Sequence, residues 1–366
     1  MAYTNIDDPS AYFHTQLYTS DSGNTQSITN NANAGNFKPD FIWAKSRADI
    51  GGYEISHDLV DSSRGRAASL HSDTAGAETT ASQTNYDLIS FDTNGFTTGA
   101  PENTNSLGGG AVGKVAWQWK ANGGTTASNT DGSITSTVQA NQDAGFSIVT
   151  YTTAGSTATI GHGLGAKPDV ILLKKRNGAI SWYVRHVSTG TSYLNLNLTS
   201  AAAANPTATW TTTEPTTSVY SIGTSTDFNI SGGEYVAYAF AEKQGYSKFG
   251  KYVGNGDVNG TFVYTGFKPA FVMIKNASAT ESWVIYDTKR NSYNPTDLKL
   301  SPDTADSENN NSAIGGAAYN NIDILSNGFK CVKNNAATNG SGNTLIYMAF
   351  AENPFVTSTG IPTTAR

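Results

Sequence analysis

Lys38–Arg47 reads KPDFIWAKSR, Lys167–Arg176 reads KPDVILLKKR and Lys268–Ala277 reads KPAFVMIKNA. Each copy has Lys-Pro, one spacer residue, a four-residue apolar run and then a lysine: Lys45, Lys174 and Lys275. Proline fixes the backbone and donates no ladder hydrogen bond, which suits the start of a strand. By its length, the apolar run fits a strand buried on both faces rather than a helix. The lysine is expected to return the chain to solvent.

Other blocks recur around this one. Opening segments stand at Phe13 (FHTQLYT) and Phe146 (FSIVTYT), with a weaker one at Phe249 (FGKYVGN). After the Lys-Pro run come Tyr53–His57 (YEISH), Trp182–His186 (WYVRH) and Trp283–Asp287 (WVIYD). In this alignment His57 and His186 are equivalent. DTNGF, STDF and LSNGF then carry Phe96, Phe228 and Phe329, and Asn-Gly signals a turn between strands. VAWQWK from Val115, VAYAFA from Val236 and IYMAFA from Ile346 close the copies with bulky residues at alternate positions, the period of a strand. Trp119, Phe240 and Phe350 are the expected core anchors.

A repeat of about 100–130 residues exceeds solenoid periods and matches a complete β-sandwich. The expected fold is all-β: three tandem β-sandwich, jelly-roll-like domains, each with its own core. They are placed at 1–124, 146–246 and 247–355. Residues 125–145, rich in Gly, Ser and Thr, read as a polar linker. The 356–366 tail either frays or docks onto a partner. Tyr246 and Phe249 are expected to pack where the second and third copies join.

Composition agrees. Only 14% of residues are charged, against about 25% in an ordinary soluble domain. That disfavours helical bundles, while 11% aromatic residues disfavour disorder. Net charge is −6 with no basic stripe, so nucleic acid is not an expected partner. No apolar run approaches the ~20 residues of a membrane span, so no membrane insertion is expected. The acidic N-terminus lacks a signal peptide's apolar core, which implies synthesis in a cytosol. Cys331 is the only cysteine, excluding an internal disulfide.

FKPDFIWAKSR, SSRGR, DTNGF and GGAVGKVAWQWKANGG together resemble a family of virion proteins from tailed, especially marine, bacteriophages. The family pattern falls on Phe37–Asp40, Ile42–Arg47, Arg64-Gly65, Asn94–Phe96 and Val115–Lys120. The opening MAYTNIDDPSAYFHTQLYT is similar to the start of such proteins. The first copy matches throughout; the other two lack the Arg-Gly loop and the Trp-x-Trp-Lys ending. The resemblance implies a tail-fibre-like virion protein whose motifs are structural.

Catalytic constellations are sparse. GHGLGAK (Gly161–Lys167) precedes a strand instead of opening a helix, so it lacks the context of a phosphate loop. His14, His57, His71, His162 and His186 show no zinc spacing. Asp303, Asp306 and Glu308 form an oxygen-rich loop without EF-hand spacing, either solvated or calcium-binding. Trp182, Trp283 and Tyr193 could stack on sugars, but the strand positions of the two tryptophans favour core packing. Trp210, in a polar stretch without a counterpart, is the aromatic candidate for surface contact. Arg64 and Arg66, flanking Gly65, are candidates for a salt bridge or partner contact. No catalytic residue, cofactor or metal is assigned.

The expected function is a non-enzymatic virion component on the particle surface, tail-fibre or tail-associated, acting in host attachment. A capsid decoration or head-fibre protein is the alternative, and a glycan-binding or glycan-degrading module is the alternative of another class. Expected partners are other virion proteins and a host surface glycan or receptor. The chain is expected as a homo-oligomer or in multiple copies on a symmetric particle.

Overall fold

A computed structural model describes residues 3–21, 24–80, 87–99, 106–204, 209–308 and 321–363. Unit 1 contains β1 (Phe13–Thr19), β2 (Gln26–Thr29), β3 (Phe41–Ser46), β4 (Asp58–Asp61), β5 (Ala68–Leu70), β6 (Thr79–Thr80), β7 (Leu88–Asp92), β8 (Gly95–Thr98) and β9 (Gly113–Trp119). Unit 2 contains β10 (Ala127–Asn129), β11 (Ser136–Asn141), β12 (Phe146–Thr152), β13 (Ala158–Gly161), β14 (Val170–Lys175), β15 (Tyr183–His186), β16 (Val219–Ile222) and β17 (Glu234–Phe240). Unit 3 contains β18 (Ser247–Val253), β19 (Phe262–Tyr264), β20 (Phe267–Asn276), β21 (Val284–Asp287), β22 (Ile322–Leu325), β23 (Gly328–Cys331) and β24 (Thr344–Pro354).

One antiparallel order recurs. The closing strand lies between the opening strand and the Lys-Pro strand, which pairs on its far side with the strand that follows it: β1-β9-β3-β4, β12-β17-β14-β15 and β18-β24-β20-β21. Smaller sheets, β2-β8-β7, β13-β16 and β19-β23-β22, complete the units. The Asn-Gly turns need their glycines for close approach. A Cβ on Gly95 would lie 1.9 Å from the Ile28 carbonyl oxygen, and one on Gly328 would lie 2.0 Å from that of Val263.

Alternation along the central strands explains why their apolar runs are continuous. In each unit one face packs on its own smaller sheet. Ile42, Ala44 and Ala116 do so in unit 1, Ile171, Leu173 and Ala237 in unit 2, and Val272, Ile274 and Tyr347 in unit 3. The opposite faces of all three large sheets meet in one shared cluster, which includes Phe41, Trp43 and Trp117, then Leu172 and Tyr238, then Met273 and Met348. Trp119, Phe240 and Phe350 hold equivalent registers and touch each other, with centroid separations of 6.1, 5.5 and 5.8 Å. The units therefore surround a pseudo-threefold axis, and the aromatic anchors lie on it.

This arrangement corrects several expectations. The units do not have wholly separate cores, because the largest apolar cluster is common to them. Part of the expected linker, 125–145, forms β10 and β11 and adds to the large sheet of unit 2. Lys45, Lys174 and Lys275 are buried instead of returning to solvent. The tail folds onto the chain's own start, where the Ser358 amide and hydroxyl each donate to Asp7 at 2.6 Å; its last residues, 364–366, lie outside the described residues. The ladders also shift one block by four residues. Asp61, His186 and Asp287 are equivalent, and His57 matches Trp182 and Trp283 instead of His186.

Candidate functional site

The units are joined in cyclic order by a loop from each that clasps the next. The buried lysine is the first element. Lys174 donates to the Ala75 carbonyl of unit 1 at 2.9 Å, Lys275 to the Thr199 carbonyl of unit 2 at 2.7 Å, and Lys45 to the Ala305 carbonyl of unit 3 at 2.9 Å. Each also donates to a carbonyl of its own unit: Ile180, Glu281 and Ile55 respectively. Burial lowers all three ammonium groups to about 8. The carbonyls replace part of the water that an ammonium loses on burial.

The second element is a ring N–H. Trp182 donates to the His71 carbonyl at 2.7 Å and Trp283 to that of Asn195 at 2.9 Å. In unit 1 His57 takes the tryptophan's place, with Nε2 3.0 Å from the Ser301 carbonyl. Its Nδ1 accepts from the Trp43 indole at 3.0 Å. The backbone amides of His57, Trp182 and Trp283 donate to Asp73, Asn197 and Asp303.

The third element is ionic and occurs twice. Glu78 of unit 1 accepts from Arg64 of its own unit at 2.8 Å and from Arg176 of unit 2 at 2.8 and 2.9 Å. Arg64 also reaches Asp61 at 2.5 Å, and Asp61 accepts from the Tyr238 hydroxyl of unit 2 at 2.8 Å. Glu308 of unit 3 repeats this with Arg290 at 3.0 Å and Arg47 of unit 1 at 2.7 Å. Arg290 reaches Asp287, which accepts from the Trp117 indole of unit 1 at 3.1 Å. At the junction of units 2 and 3 the equivalent places are held by Thr189, Ala202, Ala277, His186 and Met348. Only the backbone bond survives, Ala202 N to the Ala277 carbonyl at 2.9 Å.

These clasps absorb most of the residues singled out from the sequence. The Arg64 side chain is fully buried in its ion pairs, so it is not a surface contact. Trp210 is 2% exposed and packs edge-on against Phe228 at 4.8 Å, which removes it as well. Arg66 is exposed and donates to the Ile89 carbonyl at 2.8 Å. Asp303 accepts from the Trp283 amide and Glu308 from two arginines, so these two carboxylates are tied into the clasp. His162 and His186 are buried, and desolvation lowers both to about 4. Burial raises the Cys331 thiol to about 11. Among the described residues no group of three His, Cys, Asp or Glu could hold a metal.

A site that the sequence reading missed lies at the axial end where the opening strands begin. A cleft of about 570 Å³ is lined by Tyr3–Ile6 and Tyr12 of unit 1, Asp143 of unit 2, and Lys243 and Gln244 at the passage into unit 3. Its walls are pinned. The Tyr3 hydroxyl donates to the Gly266 carbonyl at 2.5 Å, Thr4 Oγ1 donates to the Gln244 carbonyl at 2.7 Å, and Tyr12 meets Tyr246 edge-on at 6.0 Å. A recess of about 230 Å³ shares Tyr3 and Gln244 and is bounded by Tyr264. These residues come from segments far apart in sequence, so no local motif marks them.

Residues 8–354 match a single family, described as a domain of unknown function (DUF7483), and the chain belongs to it. No curated protein and no solved structure matches the chain. The family match spans all three units, in keeping with their common core.

Proposed function

We propose that the protein is a non-enzymatic structural component of a bacteriophage virion, exposed on the particle surface, with a tail-fibre or tail-associated role in host attachment. The observation that carries this reading is the fusion of three units around one aromatic core. Such a body is a rigid holder for loops, the arrangement that favours recognition. With few charges, it draws its stability from apolar packing that salt does not screen. The likeness of Phe37–Arg47 and Val115–Lys120 to tailed-phage virion proteins supports the same reading. Within it, each unit is a β-sandwich of jelly-roll type derived from one repeated domain, and the protein is present in multiple copies on a symmetric particle.

A second reading, a glycan-binding module, is favoured by the axial cleft with its tyrosine walls. Mass spectrometry of purified particles followed by cryo-EM localisation tests the first reading. The expected result is density for this chain on the tail. Density on the shell makes it a capsid decoration protein, and absence from the particles overturns the virion reading.

A further inference from the structure

We propose that the axial cleft binds a neutral mono- or disaccharide. Its volume lies within the roughly 300–1,000 Å³ of small-molecule sites, and it sits at the meeting of structural units, where such sites concentrate. The side chains of Asn5, Tyr12, Asp143, Lys243 and Gln244 line it without a hydrogen-bond or ion-pair partner among the described residues. Together they offer amide, phenol, carboxylate and ammonium groups, hence donors and acceptors in one small volume. One carboxylate and one ammonium leave the lining without net charge, so it favours neither anions nor cations.

Tyr3 and Tyr12 add flat apolar faces beside these polar groups. A pyranose has the matching chemistry: hydroxyls around its edge and a C–H face that packs on an aromatic ring. Tyr3 is held by its bond to Gly266 and Tyr12 by its contact with Tyr246, so little side-chain freedom is lost on binding. The adjoining recess, bounded by Tyr264, accommodates a second sugar ring. This inference rests on the attachment reading only for the source of the sugar, a host surface glycan.

Saturation-transfer NMR on the full chain tests it. The probes are glucose, galactose, N-acetylglucosamine and their disaccharides, with glycine as a zwitterionic control. At least one sugar is expected to receive saturation on a ring face, with a Kd on the order of 1 mM. The Asp143→Ala/Gln244→Ala variant, altered only at exposed positions, is expected to bind about tenfold or more weakly at unchanged Tm. Silence from every sugar, a signal from glycine alone, or undiminished binding by the variant overturns the proposal. Absence of the chain from virions would overturn the attachment reading and leave sugar binding standing, so the two failures are distinguishable.

Discussion

Two of the three clasps are ionic and the third is neutral, although all three hold the same backbone geometry. Between units 1 and 2, and between units 3 and 1, an Arg-Glu-Arg set is joined to an aspartate that accepts from Tyr238 or Trp117 across the junction. Between units 2 and 3 the facing residue is Met348, which donates no hydrogen bond. There the aspartate is His186, whose Nε2 lies 3.1 Å from the Tyr347 carbonyl. The two arginines and the glutamate have become Thr189, Ala277 and Ala202. We read the network as a unit: the set of buried charges is complete at two junctions and absent at the third, and a partial set would leave a charge without a partner.

The sharpest break is Arg290→Thr, which leaves the buried Asp287 carboxylate without its cation and Glu308 with Arg47 alone. The expected loss is about 3–5 kcal/mol, measured by urea unfolding at pH 7. A loss below about 1 kcal/mol would show that the ionic clasp contributes little beyond the lysine and ring bonds.

Converting the whole ionic clasp to the neutral form tests the same point from the other side. In Arg47→Ala/Asp287→His/Arg290→Thr/Glu308→Ala the four residues take the identities found between units 2 and 3. Trp117 remains as an indole donor and can give its N–H to the imidazole. The expected cost is less than that of Arg290→Thr alone, by about 1–3 kcal/mol, because no buried charge stays unpaired. Additive costs would refute the all-or-none reading.

Much of the sheet architecture could be read before the fold was known. The alternation in VAWQWK, VAYAFA and IYMAFA placed Trp119, Phe240 and Phe350 in the core, and they meet on the axis. Apolar residues on both strand faces signalled double burial, but nothing local says what covers the second face, so the shared core was not legible. A lone lysine after an apolar run reads as an exit to solvent, because one of its carbonyl acceptors lies in a loop of its own unit that carries no motif and the other, 76 to 260 residues away, lies in another unit. The clasp loop was present as Asp-Thr-Ala at Asp73–Ala75 and Asp303–Ala305, each with Glu three residues on. Its third copy, Asn197-Leu198-Thr199 followed by Ala202, has lost the charges that would have marked it. Histidine in place of tryptophan at residue 57 hid the true alignment of that block.

The lysine bond is one of the elements that all three clasps share, so it separates the common frame from the ionic addition. Lys45→Met, Lys174→Met and Lys275→Met each remove a buried ammonium and leave two carbonyls without their donor. Each is expected to cost about 1–3 kcal/mol, and the three values are expected to agree within about 1 kcal/mol. A much larger cost at Lys275 would mean that the neutral clasp depends on its lysine to make up for the missing ion pairs.

The smallest expected effect is a pH dependence that belongs to the neutral clasp. His186 Nδ1 accepts from the Ser188 amide at 3.1 Å while Nε2 faces the Tyr347 carbonyl, so the folded ring is neutral. Desolvation lowers its pKa to about 4, whereas the unfolded chain takes up the proton near 6.5. Between these values the unfolded state binds more protons, so stability falls as pH falls through that window. His186 alone is expected to account for about 1 kcal/mol of lost stability between pH 7 and pH 5.5. His57 and His162, also lowered by burial, add losses of the same sign. Urea unfolding of wild type and His186→Asn at both pH values isolates the clasp's share: the variant is expected to lose about 1 kcal/mol less. An equal loss in both would assign the acid sensitivity to the other histidines that burial lowers, His14, His57 and His162, and remove it from the junction of units 2 and 3.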